Sequence, residues 1–418
     1  MTAKRPGPAP TPPARLRIFL GCAGACWLLA SCAPQRREVV FWEFFPTTVV
    51  EPLLDKFEHE NRGIHVRLEQ LSWKSGPDTI AAAIAVGHEP DLCELGSTWM
   101  PQMLASGRLA DWSAGVADLK PMLRGWELAS VGDAIYGVPW VVGTRALYYN
   151  KTLFERAGLD PARPPQTWSE LRDAAERIQK LGGGVHGFGV QAGERNVLFK
   201  KFMPFAWGNG GTILSDDLRT ATFDSPENRE ALDFYLSLRD VGQVDRQDVL
   251  DRAFKAGKLG LEVSGAWLIR SIPRDAPGLR YGVALIPRPD DERGTHASFA
   301  GGEVLVSFQR SKNKAEALAL ARFLVRPDNA LALAIAAQSV QPAAVGADTI
   351  RYYREHPEQQ MMIRQFETAV PTPNHPAWMD MEAAIEDEVD EALRGKPAAD
   401  AIRDAQKKLT ELIAKAGK

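Results

Sequence analysis

Glu38-Val39-Val40-Phe41-Trp42-Glu43-Phe44 is apolar and aromatic almost without interruption, the pattern of a buried strand. A helix is expected next. Val50, Leu53, Leu54 and Phe57 fall on one of its faces, Thr48 and Glu51 have the spacing of a capping box, and Gly63 closes it. Residues 64–69 alternate as a strand with one wet face. A second helix over about 78–86, a strand over 90–95 and a helix over about 99–106 continue the series. Strands alternating with helices build a sheet with helical crossovers, so the fold class is α/β.

Outward from there the rhythm changes. Residues 134–142 and 146–150 read as two extended segments with a kink at Gly143, and 150–157 as a short helix ending at Gly158. Thr167 and Glu170 form a second capping box before a helix over 171–181, which Gly182-Gly183-Gly184 breaks. Ser225-Pro226 starts another helix, with proline at the first helical position where its missing N–H costs nothing. Residues 259–263, 281–285 and 304–308 are further strand candidates. Residues 311–324, 329–337, 378–393 and 398–416 are helical. No internal repeat stands out.

The N-terminus has the form of a secretory leader. Lys4, Arg5, Arg15 and Arg17 precede an apolar run over 18–30, and a Pro-rich stretch over 6–13 suggests a later true start. At about 13 residues the run is shorter than the roughly 20 a membrane span needs. It ends in Leu29-Ala30-Ser31-Cys32, which reads as a bacterial lipobox: cleavage before Cys32 exposes a thiol for lipidation. The expected organisation is a signal peptide over 1–31 and a lipid-anchored linker over 32–37. One acyl chain anchors only marginally, so stable attachment implies more than one on Cys32. Ala33 leaves open which membrane carries the anchor.

The whole chain has a net charge of −3; the leader holds four basic and no acidic residues, which leaves −7 for the rest. An acidic chain without a Lys/Arg stripe has no general attraction for nucleic acid. Of the four cysteines, Cys22 and Cys26 leave with the leader and Cys32 is lipidated. Cys93 is then left without an internal disulfide partner, and its apolar flanks mark it as a small buried strand residue.

Patterns for catalysis are scarce. The histidines, among them His59, His88, His186 and His375, never pair at metal-ligand spacing, and no nucleophile elbow or P-loop is present. Gly187-Phe188-Gly189 lacks the third glycine of a dinucleotide fingerprint. Ser311-Lys312-Asn313-Lys314 matches Ser-x-x-Lys without its companion motifs, and Ser311 reads better as a helix N-cap. Asp216-Asp217 reads as a solvated turn. Catalytic and metal-ligating residues are therefore none, no cofactor is implied, and the chain reads as a non-enzyme. Tryptophan is more telling. Trp42, Trp73, Trp99, Trp140, Trp207 and Trp267 fall at expected element ends, several beside glycine or polar residues. Aromatic faces beside carboxylates and amides suit sugars, whose C–H faces pack on rings and whose hydroxyls need replacement hydrogen bonds.

The chain resembles the extracellular solute-binding proteins of ABC importers, in the maltose-binding-like carbohydrate group. Five stretches carry the resemblance over nearly the whole sequence after Cys32. They are Val40-Phe41-Trp42-Glu43-Phe44 with Gly63-Ile64-His65-Val66; Pro90-Asp91-Leu92 with Gly96-Ser97-Thr98-Trp99 and Gly107-Arg108-Leu109-Ala110-Asp111; Tyr136-Gly137-Val138-Pro139 with Leu147-Tyr148-Tyr149-Asn150-Lys151 and Pro165-Gln166-Thr167-Trp168; Phe254-Lys255-Ala256-Gly257-Lys258 with Gly265-Ala266-Trp267; and Gly301-Gly302 with Ser311-Lys312-Asn313.

The resemblance implies a two-lobed periplasmic-binding-protein fold of class II type, each lobe a mixed sheet flanked by helices, with the ligand cleft between them. It places residues 38–145 plus 299–343 in an N-terminal lobe and 146–298 plus 344–418 in a C-terminal lobe, with crossings near 143–147, 298–304 and 340–345. It implies capture of a solute, probed by a hinge that closes on it, and delivery to the transmembrane subunits of a permease by a monomer held outside the cytoplasm. The ligand-binding residues expected by position are Trp42, Glu43, Ser97, Thr98, Trp99, Arg145, Trp207, Asn209, Trp267 and Glu303. Relatives often carry an acid just before the Thr144 position, where this chain has Gly143, which leaves the sugar open. A polyamine, a sugar phosphate or another small polar solute is the alternative, and a lipid-anchored hydrolase a more distant one.

Overall fold

The computed structural model describes residue 7 and residues 36–73, 75–346 and 349–416. The leader and the lipobox with Cys32 lie outside the described residues. Residues 36–418 form one compact unit built on two sheets, each with its own core.

The first sheet runs in the order β13 (Gln341–Pro342), β6 (Val138–Gly143), β12 (Ser298–Val306), β3 (Leu92–Gly96), β1 (Arg37–Glu43), β2 (Ile64–Gln70), and β14 (Ala369–Pro371) pairs the start of β12. β2, β1 and β3 are mutually parallel, joined by helices as the strand–helix alternation requires; β12 enters antiparallel beside β3. The second sheet repeats the plan: β9 (Gly242–Asp245), β8 (His186–Gln191) and β10 (Leu259–Ser264) are parallel, β7 (Ala146–Asn150) is antiparallel beside β10, and β11 (Tyr281–Ala284) flanks β7. Each sheet thus takes its antiparallel strand from chain arriving directly from the other sheet. This is the class II arrangement. A small hairpin, β4 (Ser130–Val131) with β5 (Ala134–Ile135), stands apart from both.

Period-two alternation splits each sheet's side chains between two cores. In the first sheet Val39, Phe41, Leu92 and Leu305 face one core, while Cys93, Leu95, Val304 and Val306 face the other. In the second, Leu147, Phe188, Leu261 and Val263 face the helices Trp168–Gln179, Phe199–Gly208, Pro226–Ser237, Trp378–Leu393 and Ala398–Ala416. Tyr148, between Leu147 and Tyr149, faces the opposite side. Cys93 is fully buried in its strand. Ala343 and Ala344 pack in the first sheet's core, and Val345 still donates its N–H to Met122 O at 2.9 Å before the chain returns to the second sheet.

Several local expectations hold. The Thr167–Glu170 capping box is formed reciprocally ahead of Trp168–Gln179, and Ser225 caps Pro226–Ser237 through the Asn228 N–H. Others change. The helix after β1 begins at Thr47 with Pro46 as its N-cap, so Thr48 is already inside it and caps nothing. Ser311 is not the N-cap of the helix Lys314–Leu324; Asn313 holds that position. The Ser311 hydroxyl instead donates to Asp91 Oδ1 at 2.6 Å and accepts the Asn313 N–H at 3.0 Å. The strand expected at 304–308 begins six residues earlier, at Ser298, because its first half pairs with β6 and β14. No helix among the described residues is long and apolar enough to cross a membrane.

Candidate ligand-binding cleft

Three connections tie the sheets together and floor the space between them. The first is Thr144-Arg145, between β6 and β7. The second is the start of β12, where Ser298 locks to the first: Thr144 Oγ1 donates to Ser298 Oγ at 2.8 Å and to Phe299 O at 2.7 Å, and Ser298 Oγ donates to Arg145 O at 2.6 Å. The third is the helix Pro357–Phe366, which bonds both sides. Gln359 holds Gln341 and Gln338 O at one end, while Gln365 meets Ile286 N–H and His296 O at the other.

Above these connections lies a cavity of about 1190 Å3, lined from both sheets. One wall is aromatic. Phe44 stacks on Trp73 at 4.4 Å between ring centroids, and Trp99 leans on both at 5.7 and 5.4 Å. These rings sit just beyond the C-terminal ends of β1, β2 and β3, where parallel strands leave an open edge. Ser97 and Thr98 follow β3 into the same wall. Glu94 lies beneath it, fully buried, with one oxygen accepting the Phe44 N–H at 2.8 Å and the other without a protein partner. Burial, and then the charge of Glu303, push the Glu94 carboxyl well above the usual range.

The opposite wall is cationic. Arg145 lies 4.6 Å from the Trp267 ring centroid and 5.6 Å from that of Phe299, and Lys200 is 5.3 Å from Phe299. Trp267 is itself fixed by its indole N–H, which donates to Asp251 Oδ2 at 2.9 Å. Behind it the buried Lys201 donates to Val263 O at 2.6 Å; burial and the charge of Arg145 lower its pKa to about 7. Glu303 enters from the floor. A bulge in β12 falls between Glu303 and Val304, the device by which a strand re-aims a side chain, and Gly302 makes the approach possible, since a Cβ there would lie 2.3 Å from Val141 O. Burial raises Glu303 to about 7 against the pull of Arg145 and Lys200, and its Oε2 has no protein partner.

Of the residues expected from sequence, Ser97, Thr98, Trp99, Arg145, Trp267 and Glu303 line this cavity together. Trp42, Glu43, Trp207 and Asn209 do not. Trp42 and Glu43 are still within β1: Trp42 packs on the first sheet's core, and Glu43 is fully buried with Oε2 accepting the Phe45 N–H at 2.5 Å. The chain reaches the cavity one residue later, at Phe44. Trp207 ends the helix Phe199–Gly208 inside the second core, edge-on to Phe199. Asn209 is that helix's C-cap, its amide donating to Glu227 O and Glu230 Oε2, both at 3.0 Å.

The sequence reading missed Phe44, Glu94 and Lys200. A signal existed for two of them: Glu94 interrupts the apolar Leu92-Cys93-Glu94-Leu95, and Lys200-Lys201 interrupts an apolar run. A charge inside such a run needs a polar destination.

Residues 46–331 match the family model for bacterial extracellular solute-binding proteins. A Brucella abortus chain described as a binding protein is 34% identical over 291 residues, which cover 66% of this chain and 68% of that one. Among solved structures, the sugar-binding protein MalE from Xanthomonas citri is 26% identical with a TM-score of 0.80 and covers 90% of this chain and 98% of its own. An ABC transporter solute-binding protein from Thermotoga lettingae, bound with alpha-D-tagatose, is also 26% identical at a TM-score of 0.80, covering 90% and 100%. With more than half its length matched by the family model and a fold shared with these structures, the chain belongs to the bacterial extracellular solute-binding proteins.

Proposed function

We propose that this protein captures a carbohydrate in the cleft and hands it to a membrane permease, without chemical change to the ligand. The observation that carries the reading is one cavity lined by aromatic rings and the unsatisfied carboxylates Glu94 and Glu303 from one sheet, and by Trp267 and Arg145, whose Nε is unsatisfied, from the other side. Sugar C–H faces suit the rings, and sugar hydroxyls suit Glu303, Glu94 and Arg145. Its volume of about 1190 Å3 exceeds the roughly 300–1,000 Å3 of ordinary small-molecule pockets, enough for more than one sugar ring. The sugar-binding description of the Xanthomonas relative and the tagatose in the Thermotoga relative support the same class.

In this reading each sheet is the base of one lobe: residues 38–145 with 299–345, and 146–298 with 346–418. The first lobe runs two residues beyond the expected 343 because Ala344 and Val345 still pack on the first side. From the second, β14 reaches back to pair with β12. Neither lobe alone surrounds a ligand, so binding shifts the hinge toward a closed form that the permease recognises. A micromolar dissociation constant corresponds to about 8 kcal/mol shared between the two walls. Cys32 carries the lipid that keeps the protein beside its permease. Cys32→Ser is expected to move the protein from the membrane fraction to the soluble extracytoplasmic fraction; unchanged membrane association would remove the anchor.

The test is thermal unfolding against a panel of sugars and oligosaccharides. A ligand at 100 times its dissociation constant adds about 2.7 kcal/mol of stability. A shift with the ligand recovered intact supports capture. Recovery of altered ligand, or no shift with any carbohydrate, overturns the reading.

A further inference from the structure

Arg145 and Lys200 approach the same ring, that of Phe299, from the cavity wall. Neither forms an ion pair with a described residue. Arg145 can donate five hydrogen bonds. It donates one to protein, from Nη1 to Thr144 O at 3.0 Å, and its buried Nε has no partner. The Lys200 ammonium donates none among the described residues and lies 5.3 Å from the Phe299 ring centroid.

The neighbouring acids do not resolve this. Glu303 bears on both cations but bonds to neither. Glu386 spends its two oxygens on the N–H groups of Asn196 and Phe199, at 2.9 and 3.1 Å. Glu382 is held toward its neutral form by burial. Asp251 is committed to Trp267 and Gln247. Two half-buried cations repel each other: burial, and then the charge of Arg145, lower the pKa of Lys200 against the pull of Glu382, Glu386 and Glu303. Leaving buried charges unpaired is expensive, whereas an anion between them would take charge-assisted hydrogen bonds from both.

We propose that the captured solute carries an anionic group, a carboxylate or a phosphate, which seats between Arg145 and Lys200. This rests on the reading of the cleft as the solute site and narrows it to acidic sugars. The aromatic wall holds the ring, and the paired cations read the charge. Arg145 is suited to this because its planar fork matches both oxyanions, while Lys200 supplies a point charge.

Calorimetric titration of the purified protein decides it with matched probes: glucose and galactobiose as neutral sugars, glucuronate and digalacturonate as carboxylates, and glucose 6-phosphate. At least one acidic probe is expected to bind tenfold or more tighter than its neutral counterpart, and which one separates carboxylate from phosphate. The preference is expected to collapse toward one in Arg145→Gln and in Lys200→Gln, and to survive in part in Arg145→Lys. Equal or tighter binding of the neutral probes to the unmodified protein overturns the proposal while leaving carbohydrate capture standing. If no sugar binds, sn-glycerol 3-phosphate and gluconate are titrated. Binding that depends on Arg145 then upholds the anion seat and discards the carbohydrate reading, and no binding of either discards the seat as well.

Discussion

At the scale of single residues, the cleft is governed by groups whose polar atoms the protein leaves unsatisfied. Trp267 offers a ring whose indole N–H is already engaged by Asp251, so its contribution to ligand is its face. Trp267→Ala is expected to weaken the captured sugar by about 1–3 kcal/mol, by analogy with other aromatic stacking sites, as read by titration calorimetry. Unchanged affinity would take Trp267 out of the site. Glu43 makes a different prediction. Burial raises its pKa from 4.5 to about 8 although the Phe45 N–H opposes the shift. Between those pH values the folded protein holds a proton that the unfolded chain has released. Its carboxyl therefore costs nothing at about pH 4, and stability falls as the pH rises through the window, fully so above the folded pKa. Glu43→Gln keeps an amide oxygen to accept the Phe45 N–H. It is expected to stabilise the fold at about pH 9 by on the order of a few kcal/mol, seen as a higher melting temperature, and to leave the melting temperature unchanged at about pH 4. Identical melting curves at the higher pH would contradict this.

Among the elements, legibility follows how locally each is determined. The helix Trp168–Gln179 was legible because its cap and apolar stripe are both written in consecutive residues. Thr167→Ala removes the side-chain oxygen that accepts the Glu170 N–H and is expected to cost about 1 kcal/mol in urea unfolding. A loss near zero would mean that the helix start is held by packing alone. The helix Phe199–Gly208 was not legible. It is buried on nearly every side and contains Pro204, so it shows no stripe, and its one polar insertion, Lys200-Lys201, points to the cleft and to the second sheet. Thr48 failed as a cap for a smaller reason: the helix starts at Thr47 with Pro46 as its N-cap, and a shift of two residues removes a cap altogether. The first half of β12 was missed because its pairing partners, β6 and β14, lie far away in sequence.

For the whole molecule the governing feature is the joint between the sheets, where Ser298 and Thr144 interlock two crossings. Ser298→Ala removes one hydroxyl that serves both strands and is expected to cost about 1–2 kcal/mol of stability. Its affinity for ligand is also expected to change, although Ser298 does not line the cavity; unaltered affinity together with unaltered stability would show that the joint does not govern closure. Closure itself predicts a smaller radius of gyration in solution scattering with saturating ligand, and identical curves would contradict a hinge. The sequence alone determined the alternation of strand and helix, the family resemblance and six of the cleft residues, because periodicity, caps and motif order are local properties. Only the tertiary structure decided that Trp42 and Glu43 stop one residue short of the cavity, that Trp207 and Asn209 belong to a core and a cap, and that Arg145 and Lys200 meet over Phe299. Those outcomes depend on where strands end and which distant segments pair, and a face, an edge and a neighbour exist only once the chain has folded.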